Sequence, residues 1–286
     1  MANFAENQIE RDACGVGYVA QIDGTPSHEI VSMALEALAN HSHRGAVAAD
    51  GKTGDGAGIM TALPYEFCAR VFQEIHGTEA PARGDLAVAT VFNPLCHPGA
   101  RSRCRRALEE ACRETGLKPL GWREVPLDLE IVGEKALITR PQILQLFVAR
   151  DKVGPGEEFE QALYLARRRA EHAVRSEGIE EFYVASLSHR TLVYKGLCQA
   201  DQLGRFYPDL MAEDFISPVA LFHQRYSTNT FPSWKLAHPY RLIAHNGEFN
   251  TLEGNKNWMR ARENALGPDD PVGLTPIIDD SMSDSG

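Results

Sequence analysis

The sequence is 286 residues long, with 43% apolar and 24% charged residues, the proportions of a soluble globular chain with one large or two small domains. Its 29 basic residues against 39 acidic ones leave a formal charge of −10, which argues against nucleic acid or an anionic membrane as partner. No apolar run approaches the ~20 residues that span a bilayer, and the leader MANFAENQIERDA lacks the apolar stretch of a secretory signal, so a cytoplasmic, reducing compartment is expected.

Behind that leader stands Cys14, followed at once by Gly15 and Gly17. It is either a small buried thiol at the start of a strand or the first residue of a mature enzyme. Residues 17–22 read as a strand. A helix follows, with Ser27 as N-cap and Val31, Ala34, Leu35 and Leu38 spaced along one face. The Gly-rich loop GAVAADGKTGDGAG then leads into a second strand, IMTAL. Residues 66–75, 100–115 and 157–176 have helical periodicity, and residues 85–92 are strand-like. Segments 182–187 and 191–195 flank Ser188-His189-Arg190, which has the look of a hairpin. Residues 219–226 and 241–244 complete the strands. Meander-like strand pairs with helices set apart point to an α+β fold with antiparallel sheets.

Six cysteines, Cys14, Cys68, Cys96, Cys104, Cys112 and Cys198, include no C-x-x-C pair, which disfavours a zinc or iron–sulfur site. Cys104 and Cys112 fall on one apolar helix face, and the run from Arg101 to Arg106 is the solvated side of that helix. Gly54-Asp55-Gly56-Ala57-Gly58 leads into a strand where a dinucleotide fingerprint would open a helix, so it is read as a turn. His41-Ser42-His43 lacks a carboxylate or cysteine at ligand spacing. Arg44 either caps a helix end or points into a site as a fixed cation.

Three further stretches each allow two accounts. After Arg225 come Ser227, Thr228, Asn229 and Thr230, donors that suit a bound carboxylate but also an ordinary polar loop. Asn246-Gly247 is a hairpin turn or an oxyanion hole made of one amide and one backbone N–H. Asp284 is a solvated carboxylate or the partner of a ligand ammonium group.

In order along the chain, C-G-V-G, H-R-G with G-D-G-A-G, HQRYSTNTFPSW, AHNGEFNTLEGN and S-D-S resemble the class II glutamine amidotransferases, and in wording the glutamate synthase branch of them. The resemblance runs from Cys14 to Asp284. It implies a four-layer αββα sandwich of two antiparallel sheets, the N-terminal-nucleophile hydrolase fold. It implies that residues 1–13 are a pro-segment removed on maturation, and that residues 14–286 form the amidotransferase domain. Cys14 becomes the nucleophile, with its own α-amine as base. Thiol and α-amine titrate near 8.5 and 7.7–8.0 on model scales, so proton exchange between them is nearly balanced.

By the same resemblance Asn246 and Gly247 hold the oxyanion, Arg44 orders the site, Arg225 and Thr228 bind the α-carboxylate of L-glutamine, and Asp284 binds its α-ammonium. No cofactor belongs to this segment. FMN and an iron–sulfur cluster are expected in further synthase domains, which would use the ammonia on 2-oxoglutarate with electrons from a small subunit. Because family domains continue past the equivalent of Asp284, a C-terminal truncation is expected. Other class II enzymes, or a silent domain of the same fold used for regulation or assembly, are the alternatives.

Overall fold

The computed structural model describes residues 14–95, 97–225, 231–245, 251–265, 275–280, 282–283 and 285–286. In chain order these form β1 (Gly15–Ala20), α1 (His28–Asn40), β2 (Ala57–Ala62), α2 (Tyr65–His76), β3 (Leu86–Asn93), α3 (Pro98–Glu114), β4 (Leu117–Glu124) and α4 (Glu134–Ile138). There follow β5 (Gln142–Arg150), α5 (Glu157–Ser176), β6 (Tyr183–Ser188), β7 (Thr191–Gly196), α6 (Leu203–Phe206), β8 (Val219–Gln224) and α7 (Leu252–Ala265).

Local chemistry accounts for the helices. Ser27 Oγ accepts from Ile30 N–H at 3.4 Å, and α1 then buries Ile30, Val31, Ala34 and Leu38 along one stripe. Glu157, Glu158 and Glu160 in the first turn of α5 complement the helix dipole. Cys104 and Cys112 are fully buried in α3, on its core face.

The strands form two four-stranded sheets, ordered β1-β8-β2-β7 and β4-β5-β3-β6, with every pairing antiparallel. β3 decides how they stack. All eight of its residues, LAVATVFN, are buried, as a strand covered on both faces requires. Leu86, Val88 and Phe92 join one apolar cluster with residues of α1 and the first sheet. Ala87, Ala89 and Val91 join the other, with α3 and α5. The layers are therefore helix, sheet, sheet, helix, in agreement with the αββα expectation. Among the described residues no helix is long and apolar enough to cross a membrane.

Two local expectations fail. β6 and β7 are not a hairpin, because β6 pairs with β3 in one sheet and β7 with β2 in the other. The turn between them is real: Ser188 Oγ accepts from the Arg190 and Thr191 N–H groups, and Glu160 of α5 accepts from Ser188 Oγ and His189 N–H. It carries the chain from sheet to sheet. Residues 241–244 form no strand either. There Arg241 meets the edge strand β6 through its side chain, its guanidinium donating to the carbonyls of Val184 and Ala185.

One buried ion pair and its hydrogen bonds tie the two sheets and the 208–211 turn together. Arg123 donates to both carboxylate oxygens of Asp209, at 2.6 and 2.8 Å, and Tyr194 OH and Gln145 complete the network. Both side chains are about 5% exposed. Asp209→Ala strands a buried guanidinium and is expected to lower the unfolding free energy by about 3–5 kcal/mol, which urea denaturation would measure.

Candidate active site

Cys14 is the residue before β1 and is 3% exposed. β1 pairs with β8 in a register that sets Gly15 opposite Gln224 and Gly17 opposite Phe222. The head of the first strand thus meets the tail of the last, where Arg225 follows Gln224. The two glycines after Cys14 are there for close packing. A Cβ on Gly15 would stand 2.9 Å from His41 Cβ, and one on Gly17 would stand 2.5 Å from Phe222 Cζ. His41 is held by a 2.7 Å hydrogen bond between Nδ1 and Ala37 O, and its ring packs on Phe222. It is a packing residue at the end of α1. Among the described residues no three His, Cys, Asp or Glu side chains are grouped to hold a metal.

The H-R-G segment reaches the same end of the sheet. Arg44 is half-buried and closes a short 3-10 turn, Ser42–Arg44. Gly45 lies so close to β8 that a Cβ would fall 2.0 Å from Gln224 Nε2. The G-D-G turn comes in alongside. Gly56, at φ +140°, carries its carbonyl to Arg225 N–H at 2.6 Å. Arg225 itself holds φ at 94°, a conformation that costs a non-glycine residue of order 1–3 kcal/mol and that collects at functional sites. Beneath it lies Asp55, 5% exposed, with Oδ2 3.6 Å from Arg225 Nε and Oδ1 accepting from Gln224 Nε2 at 3.3 Å. Burial pushes its carboxyl up to about 6, against the opposing pull of the Ala46 N–H and Arg225.

On the other face of β8, His223 stacks on His238 at 4.2 Å between ring centroids. Both rings are fully buried, with neither nitrogen hydrogen-bonded. Burial and His245 push His223 down to about 3; burial, His223, Lys195 and His245 push His238 down to about 2. His245 packs edge-on against both, and its Nε2 meets Ser285 Oγ at 2.6 Å. Tyr240 OH meets Ser283 Oγ at 3.1 Å.

The structure therefore brings Cys14, the 44–45 turn and Arg225 to one end of one sheet. Thr228, Asn246, Gly247 and Asp284 lie outside the described residues, as do residues 1–13. A cavity of about 620 Å³ along α5 and α7 is lined by Arg168, Glu171, Arg241 and Lys256, and by none of Cys14, Arg44 or Arg225. Sequence reasoning missed Asp55, Gln224 and His238. Only the acidic residue between two glycines hinted at the first of these.

The model of the class II glutamine amidotransferases matches residues 14–286. The chain belongs to that family. It is 48% identical, over its whole length, to the large chain of an NADPH glutamate synthase from Azospirillum brasilense, of which it covers 19%. It is 44% identical over 96% of its length to a ferredoxin-dependent glutamate synthase of Synechocystis, covering 18% of that chain. The same identity and coverage of this chain link it to the NADH glutamate synthase of Saccharomyces cerevisiae, of which it spans 13%. The amidotransferase chain is thus about a fifth, or less, of the length of these relatives.

The imidazole pair makes the domain acid-sensitive. Below the ordinary imidazole value of 6.5 the unfolded chain takes up two protons that folded His223 and His238 refuse. Stability then falls with pH by about 1.4 kcal/mol per unit for each histidine until the folded values are reached. Asp55 opposes this between about 6 and 3.8, because its buried carboxyl holds a proton more tightly than in the unfolded chain. Two histidines outweigh one carboxyl, so urea midpoints are expected to drop between about pH 7 and pH 5, and less steeply in His238→Gln.

Proposed function

We propose that this domain hydrolyses L-glutamine to glutamate and ammonia through a thioester on Cys14. One observation carries the reading: a buried cysteine heads β1, at the end of the ladder where the strained Arg225 follows β8, in a chain of this family. Removal of residues 1–13 makes the Cys14 nitrogen an amine. An amide nitrogen accepts no proton, whereas an α-amine titrating near 8 takes one from the thiol at neutral pH.

The thiolate then attacks the side-chain amide carbon, and the carbonyl π electrons move onto oxygen. Asn246 and the Gly247 N–H hold that oxyanion. On collapse the C–N bond breaks, the α-ammonium returns its proton to the leaving nitrogen, and ammonia departs. Water, deprotonated by the same amine, releases glutamate from the thioester. Arg225 grips the α-carboxylate with help from Thr228, Asp284 meets the α-ammonium, and Arg44 orders the turn beside the nucleophile.

Ammonia passes to synthase domains for reductive amination of 2-oxoglutarate. FMN and an iron–sulfur cluster belong to that remainder, with electrons entering through a partner such as a small subunit. Relatives named for NADPH, ferredoxin and NADH all share this segment, which supports placing donor choice outside it.

A diazo-ketone analogue of glutamine tests the chemistry by intact mass. Loss of residues 1–13 with one adduct on Cys14 is the expected result; an unprocessed, unlabelled chain would sink the proposal. Cys14→Ala should abolish ammonia release with the fold retained. Asn246→Ala should lower kcat by about 10²–10³-fold. Arg225→Ala should chiefly raise KM for glutamine, and a collapsed kcat at constant KM would show that its role lies elsewhere.

A further inference from the structure

Asp55 is a buried carboxylate that the chemistry above leaves without a task. Two backbone hydrogen bonds fix its place: its N–H donates to Ala46 O at 3.1 Å, and the next carbonyl, of Gly56, accepts from Arg225 N–H at 2.6 Å. Asp55 is thus next in the chain to the residue whose carbonyl holds the Arg225 N–H. From there Oδ2 comes to 3.6 Å from Arg225 Nε, and Oδ1 takes the amide of Gln224. One carboxylate engages both residues at the end of β8. A guanidinium is a rigid fork, able to meet one carboxylate along its Nε edge while presenting its Nη end to another.

Resting on the reading of Arg225 as the carboxylate grip, we propose that Asp55 is a positioning residue: it aims the Arg225 guanidinium at the α-carboxylate of glutamine, and its ionisation sets the affinity for that group. Arg225 is the charged group facing it from the end of β8. The Cys198 thiol, beyond β7, is pushed up to about 12 by burial and stays neutral. Above about 6 Asp55 is a carboxylate that holds the fork; below, it is a neutral acid that holds it weakly. A second effect has the opposite sign. Losing the carboxylate also unmasks the positive charge of Arg225, which by itself would tighten binding. The direction of the change therefore separates aiming from charge.

Asp55→Asn keeps the shape and removes the charge. Its KM for glutamine is expected to rise roughly tenfold near pH 8, the size of one weakened charge-assisted contact, with kcat within about twofold. The informative control is 4-aminobutanamide, which is glutamine without its α-carboxylate. Its KM should be the same in both proteins, whereas a merely structural lesion would raise both. In the unsubstituted protein the ratio of kcat/KM for glutamine over 4-aminobutanamide should fall as pH drops through about 6, and in Asp55→Asn it should stay flat. This ratio in the parent protein needs no variant to fold.

An unchanged or lower KM in Asp55→Asn, or a ratio that ignores pH in the parent, overturns the proposal. Should neither protein turn over, calorimetric binding of L-glutamate reads the same aim: roughly tenfold weaker binding to Asp55→Asn sustains it, and equal binding overturns it. Absence of turnover with no labelling of Cys14 would instead count against the hydrolytic reading.

Discussion

β1 and β8 are hydrogen-bonded antiparallel from Gly15 opposite Gln224 to Ala20 opposite Val219, which brings the beginning and the end of a sheet to one point. Shift that register by one residue and every side chain of β8 changes face. Gln224 would leave Asp55, His223 would leave His238, and Phe222 would no longer close over Gly17. The pairing is locked on the helix side by His41 and Phe222, and on the other side by the imidazole stack. Cys14 and Arg225 adjoin the same end of this ladder, one residue before Gly15 and one after Gln224.

The glycines show how that lock is built. Gly15, Gly17, Gly45 and Gly58 each stand where a Cβ would meet an atom of the packed end of the sheet closer than 3.0 Å. Their loss of backbone entropy is the cost of bringing strand, helix end and turn into contact around one cysteine. Gly56 serves differently: its positive φ turns the carbonyl that holds Arg225.

Much of the fold was legible. Ser27 followed by a stripe at helical spacing gives α1, and the largely apolar run of residues 85–92 reads as a strand, because those signals are local. β4 was not legible: its Lys118-Pro119-Leu120-Gly121 stretch carries a register irregularity and half-exposed residues, so no alternation survives. The β6–β7 turn has hairpin chemistry, yet which sheet each strand joins is settled by partners in β3 and β2, far away along the chain. The same division holds at the site. Cys14, Arg44 and Arg225 stand in recognisable wording. Asp55 looked like a turn residue, since its meaning comes from a contact with Gln224 and Arg225, 169 residues along the chain in the first case.

That separation has a consequence in time. A ribosome adding roughly 5–20 residues per second needs on the order of 10–40 s to pass from residue 15 to residue 224. Throughout that interval β1 lacks β8, the strand that pairs with it from the Cys14 end. β8, the last strand among the described residues, thus closes over the Cys14 end of the sheet long after the thiol itself has been made.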